Sequence, residues 1–223
     1  MSHLSEKAGL SISPESFIPA AATASVQLNG DMAIVGVACR FPSDINSLAD
    51  LWNVMSSKGD LTSEASLSRW DSDAIIADLD YDAKVLDRIR YGGFLSDEVI
   101  ETFNNKLFGI SDVEAKHMHP LQRLPLDVGY EALMDGGYSM DSIRGRCIGV
   151  FVGASAGLNG DQAVSGELSV YDATGFSLAV VGGRISFCFG IQGTCYTSDT
   201  ACSSSLAALH SARRSLQLSL IHI

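Results

Sequence analysis

The sequence has few basic residues and no basic run. It contains 15 Lys and Arg against 26 Asp and Glu, which gives a formal net charge of −11. We expect no nucleic-acid partner, because such partners require clustered positive charge. No apolar run is long enough to span a membrane, so we expect no membrane partner either.

Paired cysteines of the Cys-x-x-Cys type are also missing. The cysteines are odd in number and scattered, which predicts a reducing compartment rather than a disulfide scaffold. We therefore expect a cytoplasmic protein, and an organellar address stays open. The five cysteines are Cys39, Cys147, Cys188, Cys195 and Cys202.

Short apolar runs alternate with segments of helical pattern. Residues 1–30, rich in Ser and Ala, are predicted to be a flexible leader. Continuous apolar residues at 32–39 predict a strand buried on both faces, and 147–152 and 193–198 predict two more. This alternation predicts an α/β sheet whose loops at one strand end form the site. Between these runs, 58–103 has the pattern of a surface excursion.

Three segments are predicted to be helical. Ser47 can cap a helix that carries apolar residues on one face. Residues 115–134 are partly helical in pattern, and two prolines limit where that helix begins (Pro120 and Pro125). Residues 173–190 are small and apolar, which predicts a buried helix that breaks near Gly182 and Gly183.

The segment Asp199–Leu206 carries the strongest chemical signal. It places Cys202 where a β-prone run gives way to good helix formers. There the free N–H groups and the positive end of the helix dipole favour a thiolate, which is the nucleophilic form. The small neighbours leave room for a substrate carbonyl, and the Cys202 N–H is a candidate oxyanion donor.

A second nucleophile pattern competes with it. Gly153–Gly157 has the Gly-x-Ser-x-Gly form of the α/β-hydrolase elbow, with Ser155 as nucleophile, but a poor helix start follows. We interpret it as a strand-end turn near the site. His117 and His119 resemble a metal pair only faintly, so no metal site is predicted. His210 is expected to pack along the helix that follows Cys202.

The order of several blocks identifies the chain as similar to a known family. Asp199-Thr200-Ala201-Cys202-Ser203-Ser204-Ser205-Leu206 resembles the active-site motif of the β-ketoacyl synthase domains of polyketide and fatty-acid synthases. The departures include His119 and Leu121, where the family usually has Asp and Gln. The blocks that match are Met32–Pro42, Arg69–Asp71, Gly92–Phe94, Phe108–Ser111, Glu114–Ala115, Pro120–Arg123, Gly149–Ser155 and Gly183–Ser186.

The resemblance implies a thiolase-like α/β fold, present in part: roughly three strands of the first of two five-stranded halves. It implies a decarboxylative Claisen condensation in which Cys202 accepts the acyl group. No cofactor would be bound directly, because the phosphopantetheine arm of an acyl carrier protein delivers the substrate. A homodimer is implied as well. The alternatives are a fatty-acid synthase ketosynthase and an inactive ketosynthase-like partner subunit.

The resemblance assigns residues 31–217 to the N-terminal part of such a domain. The family's two catalytic histidines would lie beyond residue 223, so we expect the 223-residue chain alone not to catalyse the condensation and to be poorly soluble or unstable. Residues 218–223 would be encoded by CTG-TCT-CTT-ATA-CAC-ATC, which matches the end of a transposase-based library adapter. We therefore expect this segment to derive from the adapter.

Overall fold

A computed structural model of the chain describes residues 32–77, 79, 81–155 and 169–218. The chain divides into two units, Met1–Asp31 and Met32–Ile223, and every described residue belongs to the second. The predicted leader and residues 219–223 lie outside the described residues. Within them, no helix has the length and apolarity needed to cross a bilayer.

The described residues form ten α-helices and four strands. The helices are α1 (Leu48–Ser57), α2 (Ser72–Ala77), α3 (Ala83–Arg88), α4 (Asp97–Glu101), α5 (Asp112–Lys116), α6 (Pro120–Asp135), α7 (Met140–Ile143), α8 (Asp172–Gly175), α9 (Leu178–Phe189) and α10 (Ser204–Gln217). The strands are β1 (Ser63–Glu64), β2 (Tyr91–Gly92), β3 (Val150–Gly153) and β4 (Cys195–Ser198). A short 3-10 helix covers Asn105–Phe108.

Two parallel strands form the centre of the site-bearing region. β3 pairs with β4 in a register that runs from Val150 opposite Cys195 to Gly153 opposite Ser198. A parallel pair needs a crossover connection, and α8 and α9 lie in its described part, with α9 packed on both strands and on α6. The predicted second and third strands and the α/β arrangement are confirmed. β1 and β2 form a separate antiparallel pair within the predicted surface excursion.

The prediction that the apolar helix breaks at its paired glycines is wrong. α9 runs without interruption from Leu178 to Phe189. A Cβ at Gly182 would lie 3.2 Å from Cys195 Sγ and 3.3 Å from Tyr196 O, and the Gly182 N–H donates to Thr197 Oγ1 at 3.1 Å. The glycine is needed for close approach to β4, and packing offsets its poor helix propensity.

The strand predicted at 32–39 is not formed in the described residues. This segment forms no ladder, and Ile34 and Val35 are 78% and 58% exposed. Instead it lies against the end of α6, where a Cβ at Gly36 would come within 2.1 Å of Ala132 O. The Val37 N–H donates to Asp135 Oδ2 at 2.9 Å. An apolar run forms a strand only where a neighbouring strand accepts its backbone hydrogen bonds.

Helix predictions at 47 and 115–134 are confirmed with qualifications. Ser47 accepts a hydrogen bond from the Asp50 N–H and caps α1, but Trp52 on its apolar face is 70% exposed. α6 begins at Pro120, as a missing N–H allows in the first turn. Pro125 lies inside α6 rather than limiting where the helix begins. Because proline has no N–H, the Leu121 carbonyl loses its helical hydrogen-bond donor.

The core lies between α6, α9 and β3. Leu126, Ile143 and Val181 are almost fully buried. The buried cluster consists of Phe108, Ile110, Met118, Leu126, Ile143, Val150, Ile185, Cys188, Phe189 and Ile191. It supports β3 from one side and therefore the strand end beside which the site lies.

Candidate active site

Cys202 lies in the turn between β4 and α10. β4 ends at Ser198 and α10 begins at Ser204, so the turn projects from the carboxyl end of the parallel pair. Ligands bind at this end in open α/β sheets. The Cys202 side chain is exposed. The strand-to-helix position that the sequence predicts is confirmed, whereas the use of this thiol stays a prediction.

Short polar side chains hold the turn in an unusual backbone conformation. Ala201, the residue before the cysteine, has φ of +55°, in the left-handed region that alanine rarely adopts. Asp199 Oδ1 accepts from the Ala201 N–H at 2.9 Å. Ser203 Oγ donates to Thr200 O at 2.9 Å. These bonds offset the strain and present Cys202 immediately before the first turn of α10.

A glycine at the end of β3 brings α10 close to the strands. A Cβ at Gly153 would lie 2.4 Å from the Ser204 carbonyl carbon and 2.4 Å from Ser205 N. Only a residue without a side chain allows this approach without a shift of backbone. The start of α10 is thus seated against β3, which places Cys202 beside the end of both strands.

Among the five cysteines, accessibility separates two from the rest. Cys39 and Cys188 are buried, Cys195 is half-buried, and Cys147 and Cys202 are exposed. Burial raises the pKa of the Cys188 thiol and also that of Cys195. Since the thiolate is the nucleophile, these two are poor candidates. Cys147 precedes β3, at the opposite end of the strands from Cys202.

Ser155, the alternative nucleophile, follows β3 and is exposed. It therefore shares the carboxyl strand end with the Cys202 turn. A hydrolase elbow needs a helix at once, and that segment lies outside the described residues. The elbow reading thus receives no support from the described geometry.

Three histidines lie among the described residues, and two of them make hydrogen bonds. His117 Nδ1 lies 2.7 Å from Asp172 Oδ1, and His119 Nδ1 accepts from the Leu121 N–H at 3.1 Å as the cap of α6. Burial, together with the charge of Arg123, lowers the pKa of His119. His210 is exposed on α10, contrary to the expectation that it packs along the helix. The described residues contain no cluster of three or more His, Cys, Asp or Glu suited to a metal.

One buried network was not anticipated from the sequence. Gln122 is 1% exposed and donates through Nε2 to Thr174 O at 2.6 Å and to Ser177 O at 3.2 Å. Its Oε1 accepts from Arg184 Nε at 2.8 Å, and Arg184 also pairs with Glu114 at 2.5 Å. All three charged or amide residues belong to blocks that match the family. Nothing in the sequence indicated that these three side chains meet, which only the structure shows.

Comparison with known proteins agrees with this geometry. The family model of the β-ketoacyl synthase N-terminal domain matches residues 29–222. Polyketide synthase GfsA of Streptomyces halstedii is 40% identical over 203 residues, which is 88% of this chain and 3% of that protein. Erythronolide synthase EryA3 of Saccharopolyspora erythraea is 41% identical over 190 residues, 83% of this chain and 6% of that protein. The chain thus spans less than a tenth of either relative.

Solved structures show the same fold. The oxazolomycin ketosynthase domain OzmH KS7 of Streptomyces albus JA3453 is 31% identical with a TM-score of 0.71, covering 86% of this chain and 33% of that one. The ketosynthase from module 6 of the bacillaene synthase of Bacillus subtilis 168 is 29% identical with a TM-score of 0.68, covering 85% and 30%. The predicted thiolase-like fold, present in part, is confirmed. This chain therefore belongs to the β-ketoacyl synthase family and corresponds to its N-terminal domain.

Proposed function

We propose that Cys202 is the acyl-accepting nucleophile of a decarboxylative condensation between acyl and malonyl-type units. The observation that carries the proposal is the position of this exposed thiol, between a parallel strand and the first turn of α10. The start of α10, with the positive end of its helix dipole, follows this residue directly. Membership of the family supports the same reaction class.

The chemistry assigned to Cys202 has two stages. First, its thiolate attacks the thioester carbonyl of an acyl group on a phosphopantetheine arm. The carbon–sulfur bond to the arm breaks, and the arm leaves as a thiolate that takes up a proton. Second, a malonyl-type thioester loses carbon dioxide, and the electron pair that remains on its carbon attacks the acyl-cysteine. The Cys202 thiolate leaves again, which releases a β-ketoacyl product.

Partners follow from this chemistry. The proposal requires an acyl carrier protein for each unit, a second copy of the chain for the dimer, and the two histidines that the family places in its later half. A polyketide product is preferred to a fatty acid, since one of the relatives compared above is named as a polyketide synthase. No cofactor bound by the chain itself is proposed.

The test is acylation by a small thioester that presents the end of the arm, acyl-N-acetylcysteamine. Trypsin cleaves after Arg184 and Arg213, so one peptide contains Cys188, Cys195 and Cys202. Fragment ions of that peptide assign the acyl group to one sulfur. We expect it on Cys202 and expect it to vanish in Cys202→Ala.

Cys147→Ala is the matched control, because Cys147 is the other exposed thiol. This variant should keep acylation at Cys202 unchanged. Acylation that persists in Cys202→Ala, or that divides equally between the two exposed thiols, would contradict the proposal. A fluorophosphonate label on Ser155, which lies in the peptide from Cys147 to Arg184, would instead favour the hydrolase reading.

A further inference from the structure

We propose that Ser204 is a positioning residue for Cys202: its hydroxyl holds the turn that aims the thiol at the incoming carbonyl. This inference rests on the proposed use of Cys202 as nucleophile. Ser204 is the first residue of α10 and only 4% exposed. A hydroxyl that is removed from water at this depth must be satisfied by the protein.

The hydroxyl is satisfied by the turn. Ser204 Oγ accepts from the Thr200 N–H at 2.9 Å and donates to Ala201 O at 2.7 Å. The Ser204 N–H also donates to Ala201 O, at 3.1 Å. One side chain therefore links the residues on both sides of the Thr200–Ala201 peptide bond, directly before the nucleophile.

Helix capping does not account for this side chain. A capping oxygen accepts from an N–H within the first turn of the helix. Ser204 Oγ accepts from Thr200, four residues upstream and outside α10. Ser203 occupies the cap position and makes no side-chain capping bond. The acceptor of Ser204 is thus committed to the turn rather than to the helix.

The backbone of the turn needs such a tie. Ala201 has φ of +55°, which side-chain-bearing residues adopt only where surrounding contacts impose it. Asp199 and Ser203 contribute bonds from exposed positions, where water competes with them. Ser204 makes its bonds in a buried position, seated against Gly153. Without its hydroxyl, we expect the turn to relax and the Cys202 sulfur to leave its aligned position.

The experiment compares two reactions of the same thiol in the chain joined to the family's later half, which the proposed function requires and without which the 223 residues are expected to be poorly soluble. Acyl transfer from acyl-N-acetylcysteamine depends on alignment with a carbonyl, whereas alkylation by iodoacetamide depends mainly on access. In Ser204→Ala, we expect acylation of Cys202 to fall about tenfold to a hundredfold. Alkylation of Cys202 should change less than about threefold, and buried Cys188 should stay unlabelled, as in a folded chain.

Two further variants complete the design. Ser211→Ala makes the same substitution about two turns further along α10 and should leave both rates unchanged. Ser204→Thr keeps the hydroxyl and should restore acylation. If Ser204→Ala exposes Cys188 to alkylation, the test rests on Ser204→Thr. A folded Ser204→Thr chain that acylates Cys202 at the unaltered rate supports the proposal, whereas a folded one whose acylation is slowed tenfold overturns it.

Two remaining outcomes separate this inference from the proposed function. Ser204→Ala that acylates at the unaltered rate overturns the positioning role and leaves Cys202 as nucleophile. An unaltered chain that shows no acyl group on Cys202 overturns the proposed function, and this inference with it.

Discussion

Two regions of the described chain are stabilised by different kinds of interaction. The first, residues 32–101, contains α1 to α4 and the β1–β2 pair. Its buried apolar residues are few in the described part: Cys39, Ile45 and Ala65. The second, residues 105–155 with 169–218, contains α5 to α10, the parallel pair and the entire buried cluster. Both have apolar residues at helical spacing, yet only the second buries them.

Local interactions dominate the first region. Ser47, Asp82 and Ser96 cap its helices through side-chain oxygens. Exposed ion pairs, such as Arg90 with Asp73 at 2.6 Å, connect its segments. Such interactions stabilise helix ends and turns by a kcal/mol or less each. The second region instead removes large apolar side chains from water, which is the stronger contribution per residue.

The two regions meet along α6. Arg40 of the first region forms a two-pronged ion pair with Glu131, and the Val37 N–H donates to Asp135. This contact between the two regions along α6, here called the seam, is polar and includes the half-buried carboxyl of Asp127. From this comparison we predict that the free energy of unfolding depends mainly on the second region. Its change with pH should arise at the seam.

The largest effect should come from the core. Leu126→Ala removes a side chain that is 0% exposed, and we expect the free energy of unfolding to fall by about 2–5 kcal/mol. Leu48→Ala in α1, where the side chain is 47% exposed, should cost less than about 1 kcal/mol. Urea unfolding followed by circular dichroism measures both. Equal losses would remove the distinction between the regions.

The buried polar network should come next. Gln122→Leu keeps the volume but leaves Arg184 Nε and the Thr174 and Ser177 carbonyls without their partner. We expect a loss of about 2–3 kcal/mol, because a buried polar group left unpaired costs its desolvation. Asp73→Asn, at a side chain 79% exposed, should cost less than about 1 kcal/mol. A smaller loss for Gln122→Leu than for Asp73→Asn in urea unfolding would contradict this view.

A third prediction addresses the seam. Burial, and then the charge of Glu131, raise the pKa of Asp127 from 3.8 to about 6, against the opposing effect of Arg40 and Arg123. The folded chain therefore binds this proton more tightly than the unfolded chain, and stability falls as pH rises from about 4 to about 6. Asp127→Asn removes this loss.

We expect Asp127→Asn to be more stable at pH 7.5 by about 1 kcal/mol, allowing for solvent screening at a half-buried site. The difference should disappear as pH falls below 3.8, where the Asp127 carboxyl becomes protonated in the folded and the unfolded chain alike. Unfolding midpoints across this range test it. A constant difference at every pH would show that Asp127 does not titrate as proposed.

The smallest effect concerns the cap of α6. His119 Nδ1 accepts from the Leu121 N–H, which requires a neutral ring. Burial and Arg123 lower the pKa of His119, so the unfolded chain binds the proton more readily and stability falls as pH drops below 6.5. His119→Asp replaces the capping ring nitrogen with a carboxylate oxygen and places negative charge at the helix start, where it is favourable.

His119→Asp should therefore exceed the unaltered chain by a few tenths of a kcal/mol at pH 7.5 and by more at pH 5.5. Thermal unfolding at the two pH values measures the difference. A gap that narrows toward pH 5.5 would contradict the assignment, and His210→Asn on exposed α10 is the control.

Sequence alone predicted the parts of the fold and of the site that depend on local order. The strand at 195–198, the helix after Cys202 and the cap at Ser47 follow from residue types within a few positions of each other. The sequence pattern gave wrong secondary-structure predictions where contacts with distant segments decide the conformation. Gly182 looked like a helix break because its contact with β4 is invisible in the chain. Residues 32–39 looked like a strand, although the described residues provide no partner for it.

Cys202 was identifiable as the candidate nucleophile because the motif around it resembles the family's active-site motif, and because its position depends on a single strand–turn–helix segment. Only the tertiary structure decided what holds that segment: Gly153 against the start of α10 and Ser204 across the turn. The physical reason is the separation along the chain over which each kind of interaction acts. Backbone propensity and capping act over a few residues, whereas close approach and buried hydrogen bonds require partners that only the folded chain brings together.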